Sequence, residues 1–237
     1  MKILVIGGAH GNEPLGIDLV KMINNNPIKN VQAIFGNEMA IKRNSRFGDL
    51  DFDECFPGKK NSKVYEYRQS YKILELSKKV DIVLDFHNTY CSNNDCGIYD
   101  ENGNDNLRNI TKFLGLKRIV ISDCVDLDKF ATNSLTVEIS RDSKLFNTKY
   151  WYEKVKKLSE LDEVKADCDL PIYKFIYTMT LEDRDKYGLN RKGFKAFKKI
   201  DSTIAKKLGV KSPAYPVFIA DKYTLNYFGY LLNKVDE

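Results

Sequence analysis

Histidine is scarce in this 237-residue chain: there are only two, His10 and His87. Any chemistry that needs an imidazole is confined to those positions. The five cysteines (Cys55, Cys91, Cys96, Cys124, Cys168) are odd in number and scattered, and no C-x-x-C occurs. That pattern speaks against a disulfide framework and against a cysteine zinc site, and predicts free, mostly buried thiols. No apolar run approaches the roughly 20 residues of a membrane span, so no membrane association is expected. The opening MKILVI is too short for a secretory signal and has no small-residue cleavage site, which predicts a cytoplasmic protein. The net charge of +5 is spread over segments such as KVKKL, KAFKK and IAKKL, with no basic block and no RNP-like motif. Solvated faces account for it, and no nucleic-acid partner is expected. Neither G-x-x-x-x-G-K-[ST] nor G-x-G-x-x-G is present, so the glycine turn GGAHGNE lacks the residues of a nucleotide cradle.

What is present is a chain with 43% hydrophobic and 30% charged residues, long enough to bury a sizeable core. Short runs of mainly branched apolar residues at 3–6, 31–35, 80–86, 118–121 and 135–139 read as strands buried on both faces. Between them, Leu15, Leu19, Val20, Met22 and Ile23 recur at helical spacing. Val64 to Val80 do the same after a Ser62 cap, as do Leu107 to Leu114 before Gly115. A further helix is predicted from Ser143 to about Leu161. Strands alternating with helices imply an open α/β sheet, mostly parallel and covered on both sides. From about Cys168 the texture turns to strands and turns, predicting a catalytic domain over 1–163 and a smaller β-rich C-terminal domain over 164–237.

Both histidines follow predicted strands, at the edge where open α/β sheets place their ligands. His10-x-x-Glu13 stands at the mouth of the next helix, where residues i and i+3 share a face. His87, from another strand end, completes a set of two imidazoles and one carboxylate. Catalytic zinc takes three such protein ligands and leaves a fourth position to water. Glu138, in SLTVEIS, is a charge inside an apolar strand run, where a raised pKa suits a proton shuttle; a structural ion pair with Arg141 is the alternative. Asp85 shares a strand face with His87 and could orient it as an outer partner, or close a strand-end hydrogen bond.

In order along the chain, GGAHGNE, N-x-x-A, R-F, D-x-D, FPG, DFHNT and TVEIS resemble the aspartoacylase and succinylglutamate desuccinylase family, a branch of the zinc-carboxypeptidase-like hydrolases. The likeness runs from residue 3 to about 140 and returns in YPVFIADKY. It implies a three-layer α/β/α fold with a mixed, mostly parallel sheet and a closing β domain. It also implies one zinc ion per chain on His10, Glu13 and His87, with Glu138 as general base and acid. By the same resemblance, Arg46 would stabilise the oxyanion, Asn88 and Thr89 would shape the pocket, and Asp221 and Tyr223 would close over the substrate.

The chain departs from the family where D-x-D-L-N-R-x-F is expected: Asp53 and Glu54 replace the Asn-Arg pair that grips a substrate carboxylate. The family's second arginine is also missing, with Asn133 nearest its place. These changes predict rejection of an α-carboxylate. The expected activity is zinc-dependent hydrolysis of a linear amide in a small N-acyl amine or N-acyl amino acid, with N-acetylaspartate poor and a neutral or cationic amine part better. Rival readings are a metallocarboxypeptidase-like peptidase and a non-catalytic binding member of the fold; homo-oligomerisation is left open.

Overall fold

Successive strand residues point to opposite faces, and the first apolar run uses both. Ile3 and Val5 enter one hydrophobic cluster while Leu4 and Ile6 enter another. The computed structural model describes all residues except 105, 124–125, 166–168, 220–226 and 236–237. Its first half runs β1 (Ile3–Gly7), α1 (Pro14–Asn25), β2 (Val31–Phe35), α2 (Glu38–Arg43), α3 (Tyr65–Ser77), β3 (Ile82–Thr89), β4 (Cys96–Asp100) and α4 (Asn106–Phe113). Then follow β5 (Ile119–Ser122), α5 (Leu127–Phe130), β6 (Ser134–Ser140), α6 (Thr148–Ser159), β7 (Ile172–Thr180), α7 (Leu181–Tyr187), α8 (Ser202–Lys207), β8 (Tyr215–Val217) and β9 (Tyr227–Lys234).

Among the described residues, nine strands form one sheet in the order β2-β1-β3-β6-β4-β5-β7-β9-β8. Five of the eight pairings are parallel; β4 with β6, β7 with β9 and β8 with β9 are antiparallel. Helices α1, α4 and α6 cover one face through Leu19, Ile110, Trp151 and Val155, and α3 and α5 cover the other through Ile73, Leu74 and Leu127. The fold is therefore the expected three-layer α/β/α arrangement. Fully buried Trp151 meets Phe86 edge to face at 5.1 Å; truncating such a side chain costs about 3–5 kcal/mol.

Close approach of α1 to the sheet depends on glycine. A Cβ on Gly7 would lie 2.2 Å from Gly16 O, so any larger residue would push the helix off β1. Pro14 occupies the first helical turn, where its missing N–H removes a donor that has no partner anyway.

Several boundaries differ from the sequence pattern. β2 is only partly buried because it is the outermost strand of the sheet. Ser62 Oγ accepts from Val64 N, but the helix starts one residue later and ends at Ser77, short of Val80. α6 begins at Thr148 instead of Ser143, because the Asn147 side chain caps Tyr150 N at 3.1 Å. The short CGIYD stretch forms β4, which the apolar pattern did not single out. The polar EDRDKYG segment holds α7, closed at its start by a capping box between Thr180 and Asp183. β7 pairs directly with β5, so the C-terminal strands extend the same sheet. Among the described residues no helix is long and apolar enough to cross a membrane.

Candidate metal and catalytic site

Strand parity sets the site. Phe86 and Val137 face the cluster under α1 and α6, so Asp85 and His87 on β3, and Thr136 and Glu138 on β6, face the other side of the sheet. The parallel register pairs Asp85 with Thr136 and His87 with Glu138, which brings the second histidine beside the strand carboxylate. His10 and Glu13 arrive from the β1–α1 turn. That turn fits under α2 only with Gly11, since a Cβ there would lie 2.0 Å from Ala40 C.

Both imidazoles turn Nδ1 to one carboxylate. His10 Nδ1 lies 2.9 Å from Glu13 Oε1, and His87 Nδ1 lies 3.3 Å from Glu13 Oε2. Asn88 N donates to the same Oε2 at 3.1 Å, and Leu15 N donates to Asn88 Oδ1 at 3.2 Å, which fixes the carboxylate between the rings. The other ring nitrogens face further carboxylates. His10 Nε2 is 3.3 Å from Asp51 Oδ1 and 3.2 Å from Asp53 Oδ2, and His87 Nε2 is 3.5 Å from Asp85 Oδ2. Arg46 reaches Glu13 and Asp51, each at 3.8 Å.

Protonation follows these contacts. Burial alone would lower the histidines, yet Glu13 and Asp53 hold His10 at about 9, and Asp85, Asp53 and Glu13 raise His87 well above its ordinary value. Burial would raise Glu13, but the two imidazoles outweigh it and keep the carboxyl far below the usual range. Burial lifts Asp53, and it lifts Asp126 to about 7 with help from Asp53. A cluster that gathers protons on its imidazoles is one in which carboxylates exceed cations. A divalent ion would satisfy the same excess.

The donor set suits such an ion. Ligand atoms of His10, Asp53 and His87 all lie within 4.8 Å of one another, and the Nδ1 atoms of both rings converge on Glu13. Two imidazole nitrogens with carboxylate oxygens form a zinc-type set, and rings held through their second nitrogen by carboxylates are oriented for ligation. Residues 1–116 match the family described as the succinylglutamate desuccinylase/aspartoacylase catalytic domain. The N-terminal part of the chain is thus similar to that catalytic domain. It is 34% identical over 61 residues to a probable aspartoacylase of Acaryochloris marina, a match covering 23% of this chain and only 21% of that relative. Its fold is similar to the succinylglutamate desuccinylase of Chromobacterium violaceum (TM-score 0.71, 15% identity, 98% of this chain and 84% of that one). Murine aminoacylase 3 is similar too (TM-score 0.72, 18% identity, 99% and 95%).

A cavity of about 180 Å³ gathers most of the residues singled out from the sequence: His10, Glu13, Arg46, Asp53, Asp85, His87, Asn88, Thr89 and Glu138 all line it. Arg141 lies elsewhere, donating to Asn12 O and the Tyr90 hydroxyl and stacking on the Tyr90 ring. Two expectations are corrected. Glu54 is exposed and forms no part of the cavity wall among the described residues. Asp53 and Glu54 are consecutive on a tight 3-10 turn, so when the first points inward the second points out. Asn133 sits at the opposite, N-terminal end of β6, where its side chain donates to Ser77 O and Val80 O at 3.1 and 3.0 Å; it ties down the end of α3 and is not among the described residues of the cavity wall. Asp221 and Tyr223 lie outside the described residues.

The wall also contains residues the sequence pattern passed over: Asp126 at the start of α5, Thr136 and Ser122 on the sheet, and the rings of Phe175, Phe218, Tyr227 and Tyr230. Thr136 could have been found from its i, i+2 spacing to Glu138. The others come from separate strands and loops and share no local signal.

Proposed function

We propose that the chain is a zinc-dependent amidohydrolase of the desuccinylase/aspartoacylase type, removing the acyl group from a small N-acyl amine or N-acyl amino acid. The convergence of His10, Glu13 and His87 in one cavity with Glu138 carries this reading. His10, Glu13 and His87 would hold the ion, which when bound supplies Lewis acidity that acidifies water and polarises a carbonyl. Glu138 takes the proton of the attacking water and returns it to the leaving amine nitrogen, so that one carboxylate serves as base and then acid. Arg46 presents its guanidinium to the oxygen that becomes negative as the carbonyl turns tetrahedral. Asp51 and Glu13 hold it in place.

The names of the relatives suggest acylated amino acids as substrates, and Asp53 modifies that suggestion. A carboxylate stands where the family's clamp begins, so a substrate carboxylate there meets repulsion. N-acetylaspartate and N-succinylglutamate are accordingly poor substrates. Hydrolysis of an N-acyl amine panel by the zinc-loaded protein, repeated after chelation, tests the proposal. It stands on turnover that chelator abolishes and zinc restores, and falls if no amide is cleaved or if chelation leaves the rate unchanged.

A further inference from the structure

The charge lining the cavity is unbalanced. Five carboxylates, Glu13, Asp53, Asp85, Asp126 and Glu138, face one guanidinium, Arg46, the only Arg or Lys in the wall among the described residues. Arg46 is already shared between Glu13 and Asp51. With neutral imidazoles and all five carboxylates ionised, even a divalent ion leaves the described wall negative by about two charges, a field that excludes anions and concentrates cations.

Asp85 is 4% exposed, lines the cavity, and its Oδ1 has no hydrogen-bond partner among the described residues. A buried carboxylate oxygen without a donor is left uncompensated, so Asp85 adds negative potential at the cavity wall. Asp126 adds a second carboxylate to the same wall. Its backbone position is fixed by its role as the α5 cap, where it accepts from Asp128 N at 3.2 Å.

The same cavity is lined by an aromatic group centred on Tyr230. Tyr227 stands 4.5 Å, Phe175 5.0 Å and Phe218 6.5 Å from the Tyr230 ring. Ring faces and carboxylates that line one cavity recognise ammonium, because the quadrupole attracts the cation and the carboxylates accept its protons.

We propose that this part of the cavity, with Asp85 and Asp126 and the rings around Tyr230, binds an ammonium group on the amine portion of the substrate. The substrate class is then an acylated diamine or an acyl derivative of a basic amine. The inference rests on the amidohydrolase reading above. It narrows the substrate from neutral or cationic to cationic, and moves its recognition from Glu54, which faces solvent, to Asp126.

The test compares N-acetyl-1,4-diaminobutane with its uncharged analogue N-butylacetamide on the zinc-loaded protein. The expected kcat/KM favours the cation by at least tenfold, and in Asp126→Asn that preference shrinks at least tenfold. Asn caps a helix as well as Asp, so the variant keeps α5. Equal turnover of both amides, or a preference that survives in the variant, overturns the ammonium site while leaving the amidohydrolase reading intact. If neither amide is cleaved, calorimetric titration with 1,4-diaminobutane decides the site independently of activity. Binding at least tenfold weaker in Asp126→Asn sustains it, and no binding to either protein removes it.

Discussion

Asp53 Oδ2 lies 3.2 Å from His10 Nε2, the ring nitrogen turned away from Glu13. A residue standing where the resembled pattern places part of a substrate clamp therefore also touches His10, a proposed metal ligand. It adds negative charge behind the imidazole and holds the ring's orientation, alongside Asp51.

Asp53→Asn should weaken zinc binding by about 10- to 100-fold, the usual effect of removing such an outer partner. Glu13→Gln should weaken it more, since both Nδ1 atoms converge on Glu13. Competition titration against a zinc chelator measures both. If Asp53→Asn were the more damaging change, Asp53 itself would be the third ligand.

Glu138 lies beside His87 in the β3–β6 register but is assigned to proton transfer. Glu138→Gln should retain one zinc ion per chain and lose about 10²- to 10⁴-fold in kcat. His10→Ala should lose both metal and turnover. Metal content by mass spectrometry, taken with rates on one N-acyl amine, separates the two roles; near-normal kcat in Glu138→Gln would remove that residue from the chemistry.

Asn133 ties the loop after α3 to the start of β6. Asn133→Ala should lower unfolding stability by roughly 1 kcal/mol, through two lost hydrogen bonds, and leave kcat/KM unchanged. Urea denaturation and steady-state rates check the two halves. A changed KM with unchanged stability would return Asn133 to the substrate site.

Asp126 gives a pH signature. Burial, then Asp53, raises its carboxyl to about 7, with Asp85 adding and His87 opposing, while the unfolded chain loses that proton near the ordinary 3.8. Between these values the folded state holds a proton that the unfolded state has released, so stability declines as pH rises through the interval. Asn cannot titrate. Metal-free Asp126→Asn should therefore melt with the parent protein near about pH 4 and above it at about pH 8. Identical melting at both pH values would show that Asp126 is not in an unfavourable charge environment.

Much of the site was open to sequence reading because its determinants are local. His10 and Glu13 share a turn, and Asp85 shares a strand face with His87. The glycines around them reflect backbone contacts with α1 and α2. The alternation of apolar runs and helical periods likewise carried the three layers, since burial of a strand or of one helix face is written in adjacent residues. The antiparallel insertion of β4 was not visible, because CGIYD is too short to mark its direction.

By itself, then, the sequence singled out His10, Glu13, His87 and the strand carboxylate Glu138, and it determined the layered fold. The tertiary structure alone decided which nitrogen of each histidine meets Glu13, that Glu54 faces out and Asn133 lies at the far end of β6, and that Asp126 and four aromatic rings share a cavity with Asp85. The physical reason is one of range. Parity along a strand is a property of neighbours, whereas register between strands and the meeting of loops at one sheet edge depend on packing the whole chain.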